Sequence, residues 1–235
     1  MLRAGRRNAR GSVSVAPTVA AMEAAQAEDT ELGILDRLGS VILLRRDLAL
    51  FREGDAANSY YKVVSGAVRS CKLLADGRRH ITDFFLAGDF IGVDALKTYS
   101  CTAEAVDDAT LVCYERRAID ALILQSPRVG QFLLSRVCAE LSEARSRMLM
   151  LGRMSARERL ASFLLRIAAR SHDRDRDTIP LPMTRSDIGD HLGLRTETVC
   201  RTFADLKNAG LIEAASPHEL RVLQRQALLA LAQGV

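Results

Sequence analysis

The stretch MTRSDIGDHLGLRTETVCRTFADLKNAG, residues 183–210, carries the pattern that sets the fold. Thr184-Arg185-Ser186-Asp187 is a capping-box variant. The threonine hydroxyl can accept an amide hydrogen bond at a helix start, and an acid three positions on sits near the positive helix end. The helix so begun runs through Ile188 and Leu192 and meets Gly193, which suits a tight turn. A second helix is predicted from about Arg195 to Ala209, stopped by Gly210. In it Val199, Phe203 and Leu206 recur at i, i+4 and i+7, a stripe that must bury against the first helix, while Glu197, Cys200, Arg201 and Ala204 occupy a different face. Two short helices around a glycine turn, the second with a projecting Glu/Arg pair, describe a helix-turn-helix whose recognition helix fits a DNA major groove.

Downstream, Leu211-Ile212-Glu213 reads as a strand, Ser216-Pro217-His218 as a turn and Glu219 to Leu223 as a returning strand. That hairpin is a wing with Arg221 placed to touch phosphate, and Arg225 to Leu231 reads as a short terminal helix. Upstream, Ile179-Pro180-Leu181-Pro182 looks extended. Ala156 to Arg170 is amphipathic, with Leu160, Phe163, Leu164 and Ile167 on one side.

Beyond Pro127 a long helix is predicted to about Leu151. Its residues Leu134, Val137, Leu141, Ala144, Met148 and Leu151 step by 3, 4, 3, 4 and 3, the seam of a coiled coil. A second apolar row containing Phe132 and Leu133 can cover the helix's own domain while the seam meets its twin, so a homodimer is expected. Packing on its own domain alone is the competing account. Gly152 interrupts the pattern and is the expected hinge.

From about Gly39 to Tyr114 short apolar runs alternate with turns at Gly54, Gly66, Gly77 and Gly88, spaced 12, 11 and 11 residues apart. Runs such as Tyr60 to Val64, Val68 to Leu73 and His80 to Leu86 are strand-like, and several strands at that spacing imply an antiparallel sandwich or barrel. The whole is α+β: an N-terminal antiparallel β jelly roll, a long dimerisation helix and a C-terminal winged helix-turn-helix. The expected boundaries are 1–29 for a disordered basic arm, 30–126 for the jelly roll, 127–152 for the helix and 153–235 for the DNA-binding domain.

The 235 residues, 48% hydrophobic and 26% charged, fit two compact soluble domains. A formal net charge of +4 permits polyanion binding without requiring it. No apolar run reaches the eighteen residues a bilayer crossing needs, so a cytoplasmic protein without a membrane partner is expected. Arg3, Arg6, Arg7 and Arg10 in an acid-free N-terminus fit a basic arm better than a transit segment. Cys71, Cys101, Cys113, Cys138 and Cys200 are odd in number and dispersed, which signals neither disulfides nor a metal centre.

Met183 to Gly189, Leu192-Gly193-Leu194, Glu197-Thr198-Val199-Cys200-Arg201 and Gly210-Leu211-Ile212 together resemble the DNA-binding signature of the Crp/Fnr regulators. Gly88-Asp89-Phe90-Ile91-Gly92 resembles a turn of that family's cyclic-nucleotide-binding-type jelly roll, and the resemblance covers about residues 30 to 225. Gly92-Val93-Asp94-Ala95 and Glu158-Arg159-Leu160-Ala161 look closest to the Fnr/FixK branch, and within it to FixK. The resemblance implies an activator of genes for low-oxygen respiration or nitrogen fixation, a TTGAT…ATCAA palindrome in double-stranded DNA, and RNA polymerase as a partner. It also departs from the family pattern. No cysteine precedes Cys71, against an iron-sulfur cluster, and Gly92-Val93 stands where cyclic AMP binders carry Gly-Glu, with no Arg-Ser between Leu96 and Ala105. An anionic phosphate buried there would lack its counter-charge, so no cofactor is expected.

The expected base readers are Arg201, donating two hydrogen bonds to guanine, and Glu197, accepting from cytosine; the competing account is a surface i,i+4 ion pair. Cys200 is expected to face DNA, either as a redox-sensitive thiol or simply as the small uncharged side chain that lets the helix approach the groove. Thr184, Arg185, Ser186, Arg195, Thr196, Thr198 and Arg221 are expected at or near the DNA backbone. The rival classes are a ligand-gated regulator or repressor with an unknown effector, and an enzyme or sensor without DNA binding. His80, His172, His191 and His218 are dispersed, each expected at the surface or in a turn rather than in catalysis, and no catalytic or metal constellation is apparent.

Overall fold

The computed structural model describes residues 38–93, 97–170, 177–216 and 218–234. The basic arm over 1–29, the motif residues Asp94 and Ala95, His172 and the wing-turn Pro217 lie outside them.

The N-terminal half is built from β1 (Ser40–Leu44), β2 (Ala49–Phe51), β3 (Ser59–Ser65), β4 (Val68–Leu73), β5 (Arg79–Phe85), β6 (Phe90–Ile91), β7 (Thr102–Ala105) and β8 (Ala109–Glu115). They form two antiparallel four-stranded sheets, ordered β1-β8-β3-β6 and β2-β7-β4-β5, the two layers of a jelly roll. At the β3–β4 turn Gly66 has φ +77°, and a Cβ there would meet the Asp108 carbonyl oxygen at 2.5 Å, so the chain reverses only with glycine. Between the sheets Val63, Val68, Phe85, Ile91 and Leu111 are buried, with the Phe51 and Tyr99 rings stacked at 3.6 Å.

A bulge in β5 gives this roll a second apolar face. Ser70 pairs with Asp83 and Cys71 with Ile81, leaving Thr82 as an extra residue. One extra residue reverses the alternation of a strand. Phe85 therefore enters the space between the sheets, whereas Ile81 and Phe84 join a different core with Ala67, Cys71 and Leu86.

Two helices follow the roll. α1 (Arg116–Gln125), which the sequence pattern does not announce, precedes α2 (Pro127–Arg153), a helix of 27 residues. At 1.5 Å per residue α2 is about 40 Å long. Its N-terminal part packs Val129, Phe132 and Leu133 against Tyr60, Phe90, Tyr114 and Ile119.

The break in the helix is not at Gly152. α2 runs through that residue and ends at Arg153, and Met154 is extended with φ −89° and ψ 146°. The cause is Ser155: its N–H donates to Glu158 Oε2 at 2.8 Å and its hydroxyl accepts from the Glu158 N–H at 3.4 Å, a capping pair that starts α3 (Ala156–Arg170).

The C-terminal unit continues with β9 (Thr178–Pro180), α4 (Arg185–Leu192), α5 (Thr196–Asn208), β10 (Ile212–Ser216), β11 (Glu219–Val222) and α6 (Arg225–Ala232). The wing is a three-stranded sheet ordered β10-β11-β9 rather than a bare hairpin, with Ile179 opposite Leu220. Pro180 is tolerated because β9 is an edge strand. Leu160, Phe163, Leu164, Ile167, Ile188, Leu192, Val199, Leu206 and Leu228 fill the core, which is continuous with Ile81 and Phe84 of the roll. Among the described residues no helix is long and apolar enough to cross a membrane.

Candidate nucleic-acid interface

The helix pair is held from both ends of α4. Thr184 is its N-cap: its hydroxyl accepts from the Asp187 N–H at 3.1 Å, and Asp187 Oδ2 accepts from the Thr184 N–H at 3.1 Å and its hydroxyl at 2.8 Å. Gly193 closes the helix in the left-handed conformation. The turn is tight, since a Cβ on Gly189 would come within 2.7 Å of the Leu194 carbonyl oxygen.

α5 buries Val199, Thr202, Phe203 and Leu206, and the Thr202 hydroxyl donates to the Thr198 carbonyl at 2.7 Å. The other face carries Glu197, Cys200, Arg201 and Ala204, all exposed. Among the described residues no ion pair within 4.0 Å joins Glu197 to Arg201, although one helical turn separates them. Both heads therefore stand available to a partner.

The flanking residues divide. Ser186 and Thr196 are exposed, Thr198 is half-buried, and Arg195 is an exposed N-cap of α5 whose side chain makes no capping bond. The Thr184 hydroxyl is committed to Asp187. Arg185 holds its guanidinium carbon 3.4 Å from the centre of the Phe203 ring, where burial lowers its pKa and the neighbouring Cys200 opposes the shift. Arg221 stands on β11, 3.8 Å from Glu213 of the adjacent strand.

On α2 the sequence-predicted seam is largely open. Leu134, Val137, Leu141 and Met148 are exposed, Ala144 is half-buried, and Leu149, which the 3–4 stepping passes over, is exposed beside them. Leu151 instead packs against the C-terminal core, near Gly193.

Further residues shape the interface from behind. Arg159 donates from Nε to the Met154 carbonyl at 2.9 Å and from its two Nη atoms to Leu192 and Leu151 at 3.0 Å each, so one guanidinium joins the end of α2 to the end of α4. Its place in the Glu-Arg-Leu-Ala motif was the only sequence signal for it. Asp83 of β5 is buried and meets Arg147 of α2 at 2.8 Å and Arg166 and Arg170 of α3 at 3.5 Å. Burial pushes this carboxyl up, but Arg166, Arg147 and Arg170 outweigh it and hold the pKa below the usual range. Arg170 also pairs with Asp89 at 2.6 Å.

His191 corrects an expectation. It is neither at the surface nor in a turn but buried between the rings of Phe84 and Phe163. Its Nδ1 lies 3.0 Å from the Ile81 carbonyl oxygen and its Nε2 against the Arg166 guanidinium. Burial, reinforced by Arg166, pushes its pKa down to about 3. The neutral ring must donate from Nδ1 to the carbonyl, leaving Nε2 to accept from Arg166. The residue lies on α4's inner face because α4 docks on β5.

A cavity of about 150 Å³ lies between the roll and α2, lined by Ser70, Lys72, Asp83, Tyr99, Glu140 and Arg147 among others. Among the described residues no group of three or more His, Cys, Asp or Glu side chains is placed to hold a metal ion.

Residues 158–231 match the Crp-like helix-turn-helix domain and residues 42–126 the cyclic nucleotide-binding domain. The nitrogen fixation regulation protein FixK of Azorhizobium caulinodans is 38% identical over 198 residues, 83% of this chain and 80% of that protein. The transcriptional activator protein Anr of Pseudomonas protegens is 35% identical over 211 residues, 85% of each. The solved structure of FixK2 from Bradyrhizobium japonicum superposes with a TM-score of 0.78 at 36% identity, covering 82% of this chain and 96% of that one.

Proposed function

The chain belongs to the Crp/Fnr family of transcription regulators, and on that premise we propose that it activates transcription as a homodimer bound to a twofold-symmetric DNA site. Each subunit lays α5 in the major groove of one half-site. The observation that carries this reading is the state of Glu197 and Arg201: exposed, one turn apart, unpaired with each other, and backed by a buried stripe that fixes the helix. A guanidinium so placed donates two hydrogen bonds to guanine, and a carboxylate accepts from cytosine. Ser186, Arg195, Thr196 and Thr198 lie at the ends of the helix pair where phosphates flank the groove, with Arg221 reaching the backbone from the wing. Arg185, partly exposed over Phe203, stands near the same backbone.

The open apolar row on α2 supports the homodimer. A family relationship to proteins named for nitrogen fixation regulation supports a similar gene set, a palindrome of the TTGAT…ATCAA type and RNA polymerase as the partner that transmits activation. Cytoplasmic location follows from that role.

DNA binding proceeds without iron, haem or cyclic nucleotide in this reading. The cavity between the roll and α2 is lined by the carboxylates of Asp83 and Glu140, which repel an anionic phosphate. Asp83 already supplies the negative partner to its arginines.

The test is a binding titration on the palindrome and on single-base variants. Arg201→Ala is expected to lose about 1 to 3 kcal/mol per half-site and to relax base preference. Unchanged affinity and preference would remove Arg201 from base readout.

A further inference from the structure

Building on the DNA-binding reading above, we infer that Arg69 and Arg79 of the jelly roll, by gripping Asp187 and Asp190 of α4, are positioning residues that set the half-site spacing the dimer accepts.

Asp187 is the third residue of α4 and only 3% of its side chain is exposed. While Oδ2 serves the Thr184 cap, Oδ1 accepts from Arg79 at 2.6 Å and from Arg69 at 3.4 Å. Arg79 also reaches Asp190, one turn further along α4, with Nε at 2.9 Å. The neighbouring His80 ring nitrogen meets the Asp190 backbone oxygen at 3.0 Å. Arg69 is braced in turn by Glu104 at 3.0 Å, so the grip rests on the sheet rather than on a loose side chain.

α4 carries the recognition helix rigidly. The Gly193 turn and the Leu194 N–H to Gly189 carbonyl bond at 3.0 Å leave α5 no independent freedom. The covalent connection between the roll with α2 and the DNA-binding unit is, by contrast, the two non-helical residues Met154 and Ser155. Orientation of α5 relative to the dimer axis therefore depends on the non-covalent contacts across this junction; the Arg159 bridge and the Asp83 ion pairs to α3 hold its base, and the Arg69 and Arg79 grip seizes α4 itself near its N-terminus.

In a two-fold dimer that orientation fixes where the second recognition helix lands, about 34 Å from the first. One inserted base pair displaces a half-site by about 3.4 Å along the axis and turns it by about 35°. A pinned unit rejects such a site. A unit hinged at Met154 and Ser155 can follow it.

A purely stabilising interface would act differently, since its loss would weaken every DNA complex alike. The experiment compares wild type, Arg79→Ala and Asp190→Asn on three DNAs: an isolated half-site, the palindrome at its preferred spacing, and palindromes with one or two base pairs added or removed. Asp190→Asn leaves the Asp187 cap intact and serves where Arg79→Ala folds poorly. If the competent pose falls to about a tenth of the population, affinity for the preferred palindrome falls about tenfold. Half-site affinity stays, and the preference over altered spacers shrinks by a similar factor. Variants that keep the wild-type spacing preference, with or without a uniform loss of affinity, overturn the inference. A wild type that binds no palindrome overturns the DNA-binding reading itself, a distinct result.

Discussion

Arg147 Nη1 lies 2.8 Å from Asp83 Oδ2, which fixes the rotation of α2 about its own axis. Each helical residue turns the chain by about 100°, so with Arg147 held against β5, Met148 is carried round to the side that the roll does not cover. Leu141 and Leu134, one and two heptads earlier, share its direction. The same ion pair thus serves the inner face of α2 and exposes the outer one.

That outer face gives the dimer its test. Leu141 is half exposed in the single chain, and burying it against its twin is the expected gain of association. Leu141→Glu places two like charges at the centre of the seam, an arrangement costing several kcal/mol when desolvated. Sedimentation is expected to show monomers, and an intact dimer at micromolar concentration would sink the seam. The monomeric variant should keep its far-UV circular dichroism, because residue 141 does not enter its own subunit's core.

How far the sequence foretold this molecule varies with the range of the interactions. Thr184, Gly193 and Gly210 mark the ends of α4 and α5 because capping and positive φ are local, and the Val199, Phe203 and Leu206 stripe announces itself by period. The break lies just past Gly152, where Ser155 and Glu158 carry the signature: a glycine in the last turn of a helix costs only about 1 kcal/mol, too little to end α2 before the Ser155 cap does. Asp83, Arg79 and His191 were illegible for another reason. Their partners lie 64 residues away at Arg147 and 110 or so away across the domain boundary, and no local pattern encodes such a meeting. The bulge at Thr82, which turns Phe84 toward the DNA-binding unit, belongs to the same class.

Cys200 is exposed on α5, next to Arg201 and within electrostatic reach of the Arg185 that lies over Phe203. Oxidation to a sulfinic or sulfonic acid puts an anion beside the guanine-reading arginine and against DNA phosphates. Peroxide is expected to abolish binding by wild type and to spare Cys200→Ser, while Cys200→Asp, which mimics the charge, should bind weakly without oxidant. Equal peroxide sensitivity of wild type and Cys200→Ser would assign the effect elsewhere, Cys138 being the other exposed thiol.

The buried imidazole of His191 predicts an acid-labile domain interface. In the unfolded chain its pKa is about 6.5, whereas in the fold burial and Arg166 push it down to about 3. Between these values the unfolded state binds a proton that the native state refuses, so stability rises with pH across the window. The contribution is complete above about pH 6.5 and is lost as pH falls toward 3. At 1.36 kcal/mol per unit, lowering the pH from 7.5 to 5.0 removes about 2 kcal/mol through this residue. Asp83, held below the usual carboxylate range by its arginines, stays ionised over that interval and adds little. Denaturant unfolding of wild type at the two pH values is expected to show the loss. His191→Gln, which keeps a donor and an acceptor but does not titrate, should start less stable at pH 7.5 and change less on acidification. If wild type and His191→Gln lose the same stability between pH 7.5 and 5.0, the native ring is titrating normally and is not held neutral between Ile81 and Arg166.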